Sequence, residues 1–240
     1  RGLGDVYKRQ YRRDCVRLPK IAITQYTIND IVVSELSKQE RINDLRKKTD
    51  ILIIDDEIFA PQEYLENNNY RFTNKNDIDN IKDVSEYPII LCDIRGIGKK
   101  ISAIYEGAFV INEIKKNYPE KIVLAYTASQ YDPSYNVFIQ KADDILSKSL
   151  STESWLEVLD KYLYMISDPI YQWKKFRNQL LKKDIPLLTI AKYEDIFVKS
   201  YMKGDFKDFK NLTKSVDSEA KNIFNKFIST VLVELVKTIK

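Results

Sequence analysis

The chain has 240 residues, of which 44% are hydrophobic and 31% charged, and its formal net charge at pH 7 is +4. This composition supports a buried core in one large domain or two modest ones, and no apolar run reaches the length of a membrane span. Histidine is absent, which excludes histidine-based catalysis, histidine metal ligands and an internal phosphohistidine.

The start of the chain is expected to contribute little to the fold. Residues 5–10 match the translation of an adaptor used in DNA library preparation, so residues 1–10 are interpreted as a sequencing artefact. Residues 11–49 are interpreted as an amino-terminal extension or the remnant of a truncated upstream segment. Within them, 20–27 favours a strand, and Thr27 is placed to cap a helix whose apolar side continues to Ile42 and Leu45.

The two cysteines indicate the compartment. Cys15 and Cys92 do not have the spacing of metal ligands, and Cys92 lies inside a predicted central strand. We therefore expect a buried free thiol at Cys92. Together with the lack of a recognisable signal peptide, this pattern predicts a cytoplasmic protein.

Four strand-like runs each end in a polar residue. The first, Ile51–Ile54, is mostly β-branched, which favours a strand buried on both faces of a parallel sheet. Because parallel strands bring their carboxyl ends to one edge of a sheet, the residues that follow these runs should lie together there. They are Asp55 and Asp56 after the first run, Asp93 after 88–92, Thr127 after 121–126 and Lys148 after 144–147.

Helical patterns alternate with these runs. This alternation predicts an α/β fold with a doubly wound, five-stranded parallel sheet. The remaining predicted elements are a short helix from Pro61 to Leu65, a second strand over 70–74, a short helix over 77–83, a helix over 106–116, a helix from Pro133 and a helix that Ser151 or Thr152 caps and that extends to Ile166.

The ordered set of acid pair, lone acid, hydroxyl and lysine resembles the receiver domains of bacterial two-component response regulators, over about residues 50–168. The resemblance implies that Asp93 accepts a phosphoryl group, that Lys148 pairs with a phosphoryl oxygen and that Thr127 moves toward that group as a switch. It implies a phosphoprotein in a phosphorelay rather than an enzyme that turns over an outside substrate, although such a protein can dephosphorylate itself.

The same resemblance implies a cofactor and a partner. A carboxylate that attacks a phosphate needs a divalent cation to offset the repulsion, and Mg²⁺ prefers hard oxygen ligands. The implied ligands are the side chains of Asp55, Asp56 and Asp93 and the backbone carbonyl of Arg95. Because the chain has no histidine, the phosphodonor must act in trans, as a histidine kinase, a phosphotransfer protein or a small molecule.

Three features depart from the family pattern. Ser149 stands where a proline usually follows the lysine, which puts the cis peptide of that loop in doubt. Ile145 occupies a position that often carries an aromatic residue. The loop over 94–105 is about six residues longer than usual, and its glycines favour a flexible insertion.

Residues 169–240 form a separate all-helical region in this interpretation. A boundary is placed near Ser167-Asp168-Pro169, and residues 170–240 carry a net charge of +7, with 15 Lys or Arg against 8 Asp or Glu. Helices are predicted over 171–183, from Pro186 to Gly204, and over 216–239, the last with a wide apolar stripe. This region is expected to bind a protein partner or form a homodimer. DNA binding is disfavoured because no helix-turn-helix spacing, arginine cluster or zinc ligands occur.

Other functions stay open at this point. A docking scaffold that is no longer phosphorylated is consistent with the lengthened loop and the missing proline. A haloacid-dehalogenase-type phosphohydrolase also uses an aspartyl-phosphate, but it needs Asp-x-Asp after its first strand, which neither Asp55 nor Asp93 begins. We favour the phosphorylated receiver with a helical interaction region.

Overall fold

The computed structural model describes residues 25–31, 38–128, 133–216 and 218–232. The expectations for Cys15, for residues 20–24 and 32–37, and for the end of the last helix lie outside these ranges. No helix in the described ranges combines the length and apolar character needed to cross a membrane.

A five-stranded sheet forms the centre of the amino-terminal two thirds of the chain. Its strands pair in the order β2-β1-β3-β4-β5, and every pairing is parallel. The predicted fold class, a doubly wound parallel sheet followed by a helical carboxyl-terminal region, is confirmed. The strands are β1 at Asp50–Ile54, β2 at Arg71–Lys75, β3 at Ile89–Asp93, β4 at Ile122–Thr127 and β5 at Asp144–Ser147.

Helices cover both faces of the sheet, so the central strands are apolar throughout. On one face, helices α1, α2 and α5 pack against a cluster that includes Ile51, Ile53 and Leu91, whereas α3 and α4 cover Leu52, Ile54 and Cys92 on the other. Cys92 is a buried free thiol, as predicted. The helices are α1 at Lys38–Lys48, α2 at Gln62–Asn67, α3 at Glu106–Asn117, α4 at Asn136–Ile139 and α5 at Thr152–Ser167.

Some predicted helices are shorter than expected. The segment predicted to be helical over 77–83 forms only a 3-10 turn at Ile81–Val84, because Asp77 accepts hydrogen bonds from the backbone of Ile78 and Gly98 instead of starting a helix. A 3-10 turn at Pro133–Tyr135 precedes α4. After Thr27, only the turn Ile28–Asp30 is present in the described residues before α1.

The carboxyl-terminal helices have their own hydrophobic core. Trp173, Phe176 and Phe197 lie at its centre, and Ile28 and Ile31 from the amino-terminal extension complete it. The backbone of Ile28 donates to Glu194, so the extension is also hydrogen-bonded to this region. The helices are α6 at Pro169–Leu181, α7 at Leu187–Lys203, α8 at Lys207–Asn211 and α9 at Ser218–Lys226, with a π-helical segment at Phe227–Leu232.

The apolar stripe of the last predicted helix is used inside this core. Ala220, Phe224, Phe227, Val231 and Leu232 are all buried there. The long helix predicted over 216–239 is interrupted, because the α-helical pattern gives way to a π-helical segment at Phe227. The sequence analysis did not predict α8.

Polar contacts join the helical region to the amino ends of the sheet strands. Lys175 on α6 lies 3.3 Å from the carbonyl oxygen of Glu120 and 3.7 Å from Asp143, which also pairs with Lys115 at 2.7 Å. Lys226 on α9 donates to the carbonyl of Asn117 at 2.5 Å. Burial lowers the pKa of Lys175 to about 8, an effect that the nearby ammonium of Lys115 reinforces.

This lowered pKa predicts a pH dependence of stability. Between about pH 8 and 10.5, Lys175 is protonated in the unfolded chain but largely neutral in the folded one, so the free energy of unfolding should rise with pH. The rise should amount to at most about 3 kcal/mol. Urea unfolding of the Lys175→Met variant should lack this rise.

The neighbouring exposed residue provides the control. Lys174→Met, on the solvent side of α6, should keep the pH profile of the original chain. If the Lys175→Met and original profiles ran parallel over this pH range, the buried ammonium would not be responsible.

Candidate functional site

The polar residues that follow the strands meet at the carboxyl edge of the sheet. Asp55 directly follows β1, Asp93 is the last residue of β3, and Lys148 directly follows β5. Carboxylate oxygens of Asp55, Asp56 and Asp93 all lie within 4.8 Å of one another. The strand register produces this grouping, since the end of β1 pairs with Cys92 and Asp93 pairs with Tyr126.

Lys148 is the cation of the site. Its Nζ lies 2.7 Å from Asp93 Oδ2 and 2.9 Å from Asp55 Oδ2, and Glu57 Oε2 is at 3.5 Å. The backbone N–H of Lys148 donates to the carbonyl of Thr127 at 2.8 Å, which fixes where the side chain begins. One ammonium group therefore links two carboxylates from different strands.

Asp93 is held on both of its carboxylate oxygens. Oδ1 accepts a hydrogen bond from the backbone N–H of Ile94 at 2.6 Å, and the backbone nitrogen of Arg95 is 3.5 Å away. Oδ2 faces Lys148. The residue is only 6% exposed, so its orientation is fixed by these contacts rather than by solvent.

Asp55 is more deeply buried, at 4% exposure, and has three donors. Its Oδ1 accepts from the backbone N–H of Glu57 at 2.9 Å. Its Oδ2 accepts from Lys148 and from the phenolic hydroxyl of Tyr126, the latter at 2.5 Å. The backbone N–H of Asp55 donates to the carbonyl of Lys75 at the end of β2.

Asp56 differs from the other two acids because its side chain is exposed. It lies against the backbone of Gly96, where an added Cβ would come within 2.3 Å of Asp56 Oδ1. Gly96 has a φ of +81°, a backbone conformation that favours glycine. Because Gly96 has no side chain, the loop after β3 can pass directly beside the carboxylate of Asp56.

The other predicted site residues lie at the same edge. Thr127 ends β4, pairs with Ser147 on β5 and is partly exposed. Arg95 follows Asp93 by two residues, with its side chain exposed. Ile145, at the position of the missing aromatic residue, is 42% exposed. No cis peptide occurs among the described residues, so the Lys148–Ser149 bond is trans.

The long loop after Asp93 is packed onto the protein rather than open. Ile94 and Ile97 are fully buried. The backbone N–H of Gly96 donates to Glu106 Oε2 at 2.7 Å, and that of Gly98 donates to Asp77 Oδ1 at 2.5 Å. The predicted flexible insertion is therefore a loop held at both of its glycines.

Burial and the neighbouring charges shift the pKa values of three residues in the site. Burial raises the pKa of Asp93, which the ammonium of Lys148 opposes and the carboxylate of Asp55 reinforces. Burial disfavours the charged form of Lys148, but the hydrogen bonds to Asp93 and Asp55 outweigh it and raise its pKa. Burial and the hydrogen bond to Asp55 raise the pKa of Tyr126, so this phenol stays a neutral donor.

The sequence analysis did not identify several residues of this site. The strand pattern predicts only an apolar core role for Tyr126, yet its hydroxyl reaches Asp55. The role of Gly96 depends on its positive φ, and that of Glu106 on a contact across ten residues. Of these residues, only Glu57 could have been suspected from the sequence, because it directly follows the acid pair.

Three comparisons with known proteins were made, and one of them found similar structures. No protein-family model matches the sequence, and no curated protein matches it. Among solved structures the chain resembles receiver domains over about half its length. A CheY-like receiver domain protein from Methanospirillum hungatei JF-1 is 20% identical, with 48% of this chain and 93% of that chain covered at a TM-score of 0.40.

Two further solved structures resemble the chain to a similar degree. The receiver domain of NtrX from Brucella abortus is 22% identical, with 48% of this chain and 98% of that chain covered at a TM-score of 0.38. A response regulator from Burkholderia pseudomallei, solved with a phosphorylated aspartic acid, a calcium ion and citrate, is 18% identical, with coverage of 66% and 94% and a TM-score of 0.38.

The contacts of Lys148 predict a large effect on stability. Lys148→Met would leave the buried carboxylates of Asp55 and Asp93 without their cation. We expect the free energy of unfolding, measured with urea in the presence of a chelator, to fall by about 3 kcal/mol.

Lys161→Met is the matched control, because Lys161 forms an exposed pair with Asp144 at 3.7 Å. This variant should change stability by less than about 1 kcal/mol. Equal losses in the two variants would contradict a special electrostatic role for Lys148.

Proposed function

We propose that residues 50–168 act as the phosphoacceptor domain of a response regulator and that Asp93 receives the phosphoryl group. The main support is the 2.7 Å contact between Lys148 Nζ and Asp93 Oδ2 within a group of three carboxylates. Asp93 ends the middle strand of the sheet, so it lies between the acid pair on one side and Lys148 on the other. Asp55 is less suited as acceptor because it is the more deeply buried of the two and its Oδ2 already accepts from both Lys148 and Tyr126.

The residues of the site fit a magnesium ion. Asp55, Asp56 and Asp93 offer hard oxygen donors within 4.8 Å of one another, and the Arg95 carbonyl is the proposed backbone ligand. With the exposed Glu57 left aside, three carboxylates and one ammonium leave an excess of two negative charges, which one divalent cation offsets. When bound, Mg²⁺ would supply positive charge for the incoming phosphoryl group.

The transfer step uses the carboxylate of Asp93 as nucleophile. An O–P bond forms to Asp93 while the bond between phosphorus and the donor breaks, and its electron pair leaves with the donor. Lys148 then exchanges Asp93 Oδ2 for a phosphoryl oxygen, which keeps its positive charge beside the new group. Thr127, tied to Lys148 through its backbone carbonyl, offers a hydroxyl to a second phosphoryl oxygen.

The donor acts in trans in this proposal, because the chain contains no histidine. A histidine kinase or phosphotransfer protein would present a phosphohistidine at the carboxyl edge of the sheet. Later attack of water on the phosphorus would break its bond to Asp93, release inorganic phosphate and return the carboxylate to its free form. The protein is thus a phosphoacceptor rather than an enzyme for an outside substrate.

The helical region is the proposed output module. It contacts the opposite, amino-terminal edge of the sheet through Lys175 and Lys226. Phosphorylation would therefore act through a change in how this region packs or associates, rather than by direct contact with the phosphoryl group. A protein partner or a second copy of the chain is the expected target.

A phosphoryl analogue tests the proposal directly. The full chain is incubated with Mg²⁺ and beryllofluoride, and binding is followed by tryptophan fluorescence and by molar mass during size exclusion. We expect Mg²⁺-dependent binding that is lost in Asp93→Asn, and a change in mass if the helical region controls assembly. No binding by the original chain would refute the phosphoacceptor and favour a non-phosphorylated scaffold.

The position of Asp56 predicts a selective effect on the metal. Gly96→Ala would place a methyl group where the Asp56 carboxylate lies, and the positive φ would cost about 1–2 kcal/mol of stability. Because Asp56 is exposed and can rotate away, we expect the variant to fold but to bind Mg²⁺ more weakly in a calorimetric titration.

Gly204→Ala is the control for backbone strain. Gly204 ends α7 with a φ of +66°, far along the chain from the acidic residues. Its replacement should reduce stability to a similar extent and leave Mg²⁺ affinity unchanged. Equal affinities in both variants would argue against Asp56 as a ligand.

A further inference from the structure

Tyr126 lies directly beneath the acidic group. It is the penultimate residue of β4 and is fully buried. Its hydroxyl donates to Asp55 Oδ2 at 2.5 Å, and its ring centroid lies 5.2 Å from Lys148 Nζ. One side chain thus contacts both a proposed metal ligand and the cation of the site.

Packing fixes the direction of this hydroxyl. The Tyr126 ring meets Phe59 edge-on at 5.6 Å and Trp155 edge-on at 6.0 Å, and those two rings also contact each other at 5.0 Å. A ring enclosed in this way cannot turn its hydroxyl away from Asp55 without disturbing two large aromatic neighbours. The donor is therefore held in place before any ligand arrives.

Asp55 needs a second donor on Oδ2 because Lys148 also binds Asp93 and, in the proposed function, a phosphoryl oxygen. Lys148 bonds Asp55 and Asp93 with the same ammonium group. If Lys148 turns toward a phosphoryl oxygen, Asp55 Oδ2 loses that contact but keeps the hydroxyl of Tyr126. Because the tyrosine donor is neutral, the negative charge of Asp55 stays available to a cation. A second lysine in its place would neutralise that charge.

We propose that Tyr126 is a positioning residue, which orients the Asp55 carboxylate for a divalent cation and keeps it oriented when Lys148 moves. This inference rests on the proposed phosphoacceptor function and adds a residue to it. Tyr126 is not a catalytic residue, because it acts through Asp55 and does not contact the reacting atoms. Hydrogen-bond partners of metal ligands commonly contribute about 10- to 100-fold to metal affinity.

Tyr126→Phe isolates the hydroxyl. Phenylalanine keeps the ring, its contacts with Phe59 and Trp155 and the face near Lys148, and Asp55 Oδ2 keeps its bond to Lys148, so the variant should fold. In calorimetric titrations of the full chain with Mg²⁺ alone, we expect binding to be weaker by about tenfold or more. Beryllofluoride binding should require correspondingly more Mg²⁺.

Tyr162→Phe is the matched control. Tyr162 is also buried, and its hydroxyl donates to Asp144 Oδ2 at 2.9 Å, at the amino end of β5 and away from the acidic group. Loss of this bond should reduce stability to an extent similar to the loss in Tyr126→Phe. Mg²⁺ affinity should remain that of the original chain.

The outcomes separate this inference from the proposed function. If the original chain binds Mg²⁺ and Tyr126→Phe binds it equally or more tightly, the positioning role is refuted while the phosphoacceptor stands. If both tyrosine variants lose affinity together, general destabilisation explains the effect and the positioning role is again refuted. If the original chain binds no Mg²⁺, the metal-dependent function is refuted, and the positioning role of Tyr126 is refuted together with it.

Discussion

The site depends on the need of two buried carboxylates for a cation. Asp55 and Asp93 lie at the ends of different strands, and the ammonium group of Lys148 lies within 3 Å of both. Burying an unpaired carboxylate is so costly that these side chains must be paired in the folded protein. The parallel sheet makes the pairing possible because β1, β3 and β5 all end at the same edge. The fold therefore supplies the pairing that these buried carboxylates require.

Much of this arrangement was predictable from the sequence. The β-branched run before Asp55 and the apolar run before Asp93 indicated buried strands, the short run before Lys148 indicated a further strand, and parallel strand ends meet by geometry alone. Local patterns also placed the end of α7 at Gly204, which adopts the left-handed conformation expected there. These features depend on residues close together in the chain.

The features that were not predictable depend on contacts between distant residues. Tyr126 looks like any core residue of a buried strand, and only the register beside Asp93 shows that its hydroxyl reaches Asp55. The sequence predicts a helix that begins at Asp77, but the Asp77 carboxylate instead accepts a hydrogen bond from the backbone N–H of Gly98 in another loop. Likewise, nothing in the local pattern of Ile28 indicates that it completes a core formed by helices more than 140 residues later.

The two edges of the sheet differ in how their charged groups are paired. At the amino edge, Asp143 pairs with Lys115 and lies 3.7 Å from Lys175, and Lys175 and Lys226 donate to backbone carbonyls, so these contacts join two parts of the chain. At the carboxyl edge, three clustered carboxylates face one lysine. In the proposed function, a divalent cation offsets this excess of negative charge. Because of this imbalance, we expect a ligand to bind at the carboxyl edge rather than at the amino edge.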